Sequence, residues 1–137
     1  MKVVPIAIAI ACVATSAISS EVLGVWRSET SEDGGYIHVE IAPCETDGAK
    51  LCGTIIEAFN EIPENADPAR RAELLGKVMI RDMTPESANE WANGTIWAPD
   101  DDETYRSRMA LNGNILHVSG CVLAGLICRG QEWTRIQ

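Results

Sequence analysis

Short runs of alternating apolar residues recur along this chain, and most are separated by residues that favour a turn. They fall at 22–29, 35–43, 50–58, 75–83, 91–97, 103–111, 114–121 and 126–136. In the clearest, GGYIHVEIAP, the residues Ile37, Val39 and Ile41 take every second position, the period of a strand with one buried face. Between the runs stand Glu32-Asp33-Gly34, Asp47-Gly48, Pro99-Asp100-Asp101-Asp102, Asn112-Gly113 and Ala124-Gly125, all turn formers. Short connections make successive strands antiparallel neighbours, and eight of them can close into a cylinder with no exposed edge. The expected fold is therefore all-β, an eight-stranded antiparallel up-and-down barrel.

Two interruptions read as helical. In ADPARRAELLGK, Asp67 can cap a helix, Pro68 suits its first position and Gly76 follows its end. The 59–74 insertion is then a candidate flap over one barrel mouth. TPESAN, starting at Thr84, is expected to add one further helical turn.

The first twenty residues, MKVVPIAIAIACVATSAISS, hold one cation, an apolar run and then small residues, with no acid. This is the pattern of a secretory signal peptide. Small residues allow cleavage after Ala17 or after Ser19, which gives residues 1–20 as leader and 21–137 as a single domain. The apolar stretch is shorter than the ~20 residues a bilayer span requires. A lipoprotein-type processing site at Cys12 is the rival reading, with Ala9 where a leucine is usual. Loss of the leader removes Lys2 and leaves 10 basic against 20 acidic residues, a charge of −10. That balance disfavours nucleic acid or an anionic membrane surface as a partner.

Four cysteines then remain: Cys44, Cys52, Cys121 and Cys128. An even number in an exported chain points to disulfides. Three pairings are open, but each adjacent pair brackets a turn between two strand-like runs. The hairpin reading joins Cys44 to Cys52 across a loop centred on Gly48, and Cys121 to Cys128 across Ala124-Gly125. Neither pair has the C-x₂₋₄-C spacing of zinc ligands or the C-x-x-C of a redox couple, so no metal is expected.

Several segments together resemble a bacterial exported family catalogued as domain of unknown function 2147. These are GVWRSE, PCETDGAKLCGTI, NADPARRAELLGKVMI, WANGTIWAPDDDETYRSRMAL and HVSGCVLAGLICRGQEWTRI, and they cover essentially the whole mature chain. The resemblance implies a lipocalin-like barrel and supplies no activity. Gly24-Val25-Trp26 is similar to the G-x-W of lipocalins, whose last strand lays an arginine over that tryptophan. Arg135 is the best match here and Arg129 the reserve; a guanidinium over an indole is worth ~0.5 to 2 kcal/mol.

No catalytic constellation emerges. G-x-S-x-G, H-E-x-x-H, Walker and dinucleotide fingerprints are missing from the sequence. His38 and His117 each fall on the solvent side of their strands by alternation. The acidic run PDDDETY lacks the spacing of a calcium loop and reads as a solvated turn. Two functions follow, neither enzymatic and neither calling for a cofactor. One is an exported carrier of a small, partly apolar ligand, lined by Ile37, Val39, Ile41, Tyr105, Ser107 and Met109. The other is a structural or interaction protein of the cell envelope with a filled barrel.

Overall fold

A computed structural model describes residues 2–10 and 21–137. Cys12 and both cleavage positions lie outside the described residues. Residues 2–10 have no regular secondary structure, and among the described residues no helix is long and apolar enough to cross a membrane.

Eight strands follow one another: β1 (Gly24–Arg27), β2 (Gly35–Pro43), β3 (Leu51–Asn60), β4 (Val78–Ser87), β5 (Glu90–Ala98), β6 (Glu103–Asn112), β7 (Ile115–Val122) and β8 (Ile127–Arg135). Each pairs antiparallel with the next, and β8 returns to β1, so the sheet is a closed barrel in sequence order. The closing seam is short, with only Trp26 opposite Arg135 and Arg27 opposite Thr134. One end of the barrel carries the chain entry at β1, the β2–β3, β4–β5 and β6–β7 turns, and the C-terminus. The other, the rim, carries the remaining connections.

The insertion between β3 and β4 holds a 3₁₀ turn, Pro63–Asn65, and one helix, α1 (Pro68–Leu74). Asp67 caps α1 by accepting the Ala69 and Arg70 N–H groups at 3.0 and 3.2 Å. Gly76, at φ +85°, reverses the chain just beyond it, a conformation that favours glycine.

TPESAN is not helical: Thr84 to Ser87 continue β4, with Pro85 opposite Trp91 of β5. The reason lies on the far side of β4. Its pairing with β3 reaches only Met83, so beyond that point β4 needs no ladder donor on that side and a proline is tolerated.

Inside, Trp26, Val39, Ile41, Leu51, Ile55, Ile80, Met83, Trp91, Met109, Leu116 and Trp133 form one continuous cluster, each at most 2% exposed. Leu74 of α1 joins it, so the insertion seats a side chain in the core. Where β4 and β5 cross, Gly94 is required. A Cβ there would lie 2.3 Å from Met83 Sδ and 2.5 Å from the Arg81 carbonyl oxygen. Its neighbour Asn93 is left-handed at φ +61°, and the register shifts between Trp91 and Gly94. The segment from Trp91 to Ile96 thus keeps both ends against the core through a local irregularity.

Candidate functional site

Cys44, Cys52, Cys121 and Cys128 form two disulfides, Cys44–Cys52 and Cys121–Cys128. In the second hairpin the two cysteines are directly opposed. The first differs from the expected geometry: Cys52 faces Ala42, and the Cys44 N–H donates to the Lys50 carbonyl. Its turn is centred on Asp47, whose carboxylate accepts the Ala49 N–H at 3.0 Å and whose carbonyl accepts the Lys50 N–H at 3.1 Å. Asp47 chemistry therefore overrides the Gly48-centred loop, and the staple runs diagonally across the ladder. The Asp82 carboxylate lies beside this disulfide. Paired as cystine, these sulfurs offer no thiolates to a metal.

At the seam, Trp26 is fully buried, its Nε1 donates to the Val22 carbonyl at 2.9 Å, and the Arg135 guanidinium stands 4.4 Å from its ring centre. Arg135 also reaches Asn114 and the Glu21 carbonyl, which ties the last strand to the chain before β1. Arg129 lies instead on exposed β8 near the rim.

Of the six residues named for a ligand pocket, Met109 lines one of the two depressions described below and the other five line neither. Val39, Ile41 and Met109 are core, and Ser107 is buried beside them on β6. Ile37 is half-buried against the same cluster. Tyr105 is half-buried, and its hydroxyl donates to Asp101. That hydrogen bond, followed by desolvation and the neighbouring acidic charges, raises the Tyr105 pKa above its ordinary value. Two buried polar atoms in this region lack a hydrogen-bond partner, Trp91 Nε1 and Ser107 Oγ.

Two depressions stand out among the described residues, both on the outside of the barrel. One, of about 230 Å³, lies over β5, β6 and β7, between Glu90, Arg108 and His117. The other, of about 430 Å³, adjoins the end of the 59–74 insertion and is lined by Gly76, Lys77, Val78, Arg81, Trp97 and Thr104. The acidic turn beside it acts as a brace: Asp102 accepts the Trp97 Nε1–H at 2.7 Å, and Asp101 accepts the Glu103 N–H at 3.0 Å. Sequence reasoning missed this second site. Its residues come from three strands and a helix end, and only the register brings them together.

The two histidines differ. His117 Nδ1 is 3.8 Å from a Glu132 carboxylate oxygen on β8. His38 belongs to an outer aromatic group, with its ring centre 4.7 Å from that of Phe59. Phe59 stacks on Tyr36 at 4.9 Å, and Arg27 covers Tyr36 at 3.9 Å. Glu86, Glu90, His117 and Ser119 all line the first depression.

An eight-stranded barrel closed in sequence order, with a buried tryptophan under an arginine at its seam, is a lipocalin-like fold. Residues 24–135 match the family described as "Uncharacterized protein conserved in bacteria (DUF2147)", and the chain belongs to that family. A solved structure supports the fold: protein HP1028 from the human pathogen Helicobacter pylori, described as belonging to the lipocalin family. It superposes with a TM-score of 0.63 at 17% identity, covering 85% of this chain and 84% of that one. No curated protein matches the sequence.

Proposed function

We propose that this chain is an exported, non-enzymatic barrel of the bacterial cell envelope whose interior is its hydrophobic core and whose partners are met from outside. The packed interior carries the reading. Eleven inward side chains, three of them tryptophans, leave at most 2% of their surface exposed, and both depressions lie on the outer wall. A carrier would need a cavity of ~300 Å³ or more that encloses most of its ligand. Export is supported by the leader pattern of residues 1–20 and by the two disulfides.

The test uses mature protein, unfolded and refolded to strip any passenger, then titrated with the neutral environment-sensitive dye Nile red. No saturable binding is expected. Saturable binding that disappears in Met109→Trp, with the circular dichroism spectrum unchanged, would replace this reading with the carrier of a small amphipathic ligand. One observation favours that second reading: Trp91 Nε1 and Ser107 Oγ are buried without partners, as donors waiting for a polar atom would be.

A further inference from the structure

The chain is strongly acidic, yet one outer face of the barrel is basic. On β4, β5 and β6 the residues Arg81, Thr95 and Arg106 are directly opposed in one cross-strand row. Directly opposed residues share a face, so both guanidinium groups project outward on either side of Thr95, two strand spacings or about 10 Å apart. In the next row Trp97 faces Thr104. Lys77, at the end of the insertion, lays its ammonium 4.0 Å from the centre of the Trp97 ring.

Three other arginines are neutralised locally, while Arg108, Arg129 and Arg135 are in no ion pair among the described residues. Arg27 pairs with Glu61, Arg70 with Glu73 and Arg71 with Glu57. Among the described residues, Lys77, Arg81 and Arg106 have no ion pair. Of the neighbouring carboxylates, Asp102 accepts the Trp97 indole N–H, and Asp82 lies beside the Cys44–Cys52 disulfide. Between Lys77, Arg81, Trp97 and Thr104 lies the depression of about 430 Å³.

We infer that this depression binds a small organic anion carrying a flat ring. The anionic group lies between the Lys77 ammonium and the Arg81 guanidinium, with the Thr104 hydroxyl as a further donor, and the ring rests against Trp97. Three features support this assignment. Unpaired cations attract an anion, and a guanidinium recognises carboxylate or phosphate through paired N–H groups. A tryptophan already held by Asp102 gives a stacking platform at little entropic cost. The surrounding acidic surface repels other anions, so a local basic face concentrates binding in one place. This inference goes beyond the filled-barrel reading and does not depend on it.

The probe is 1-anilinonaphthalene-8-sulfonate, a flat ring system with one fixed negative charge, titrated into the folded mature protein. Its neutral counterpart, N-phenyl-1-naphthylamine, is titrated in parallel. Saturable binding of the anionic dye is expected, weakened about tenfold or more in Lys77→Gln/Arg81→Gln, since each lost charge-assisted contact is worth more than one neutral hydrogen bond. Both side chains are exposed, so the variant retains its core. Trp97→Leu weakens binding as well, and no neutral-dye saturation depends on Trp97. Equal affinity in the double variant, saturation by the neutral dye that is lost in Trp97→Leu, or no saturable binding of the anionic dye would each overturn the assignment. Because Nile red reports on the interior and the sulfonate on the outer face, failure of one proposal is distinguishable from failure of the other.

Discussion

The closed end of the barrel and the rim opposite are held by different forces. At the closed end, Trp26 is fully buried beneath Arg135, with its indole N–H bonded to the chain that enters β1. At the rim, the β7–β8 hairpin exposes Val122, Leu123, Leu126 and Ile127, and Leu123, Ala124 and Gly125 all have positive φ. Two of those three carry a Cβ, and each costs about 1 kcal/mol or more in that conformation. Burial therefore stabilises the first end, where the Cys44–Cys52 link spans a turn already held by Asp47, whereas at the rim the Cys121–Cys128 link holds a turn that the sequence does not favour. The first end loses stability globally when damaged and the second loses it locally.

The largest effect should come from the closed end. Trp26→Ala removes a fully buried aromatic ring, its indole hydrogen bond and its contact with Arg135 at the short seam. The expected cost is about 3 to 5 kcal/mol, read as a lower urea midpoint for the whole molecule. A loss under 1 kcal/mol would mean that the seam is not where the barrel is held, and the contrast between the ends would fall.

Next come the two staples, which close rings of similar size and so offer at most about 2 to 3 kcal/mol each in the loop-entropy model. Replacing Cys121 and Cys128 by serine should cost more than replacing Cys44 and Cys52. The first hairpin keeps its turn through Asp47, whereas the second has no equivalent side-chain support. Amide exchange should rise sharply at 121–128 in the first variant and only modestly at 44–52 in the second. The reverse order would show that Asp47 does not stabilise its own turn.

Much of this architecture is legible in the residues because strands advertise themselves with a period of two. Val39, Ile41 and Met109 are inward by alternation alone. What alternation does not reveal is how far each strand is displaced against its neighbour. β3 and β4 pair at only three positions with two irregularities between them, and Asp82 and Asn93 break the period with positive φ. The misreading of TPESAN has the same origin, since whether Pro85 can sit in a strand depends on where the pairing with β3 stops. The outer basic face is hidden for that reason too: Arg81 and Arg106 are 25 positions apart and meet only through Thr95.

The smallest expected effect lies on the outer wall, between the two ends. His38 is packed against Phe59, near Tyr36, and opposite Arg27 in the β1–β2 ladder. Desolvation holds its pKa below the ordinary histidine value, with the Arg27 charge adding to the shift and Glu57 opposing it. With the folded pKa below that of the unfolded chain, the unfolded state takes up the proton first as pH falls. Above the unfolded value, about 6.5, both states are neutral at this position and nothing is lost. Below it, stability declines until pH has dropped past the folded pKa. Across that window, His38→Gln should give a flatter dependence of the urea midpoint on pH than the unsubstituted protein, with no difference in slope above it. Identical slopes for the two proteins from about pH 7 down to pH 5 would show that the aromatic group does not hold His38 neutral.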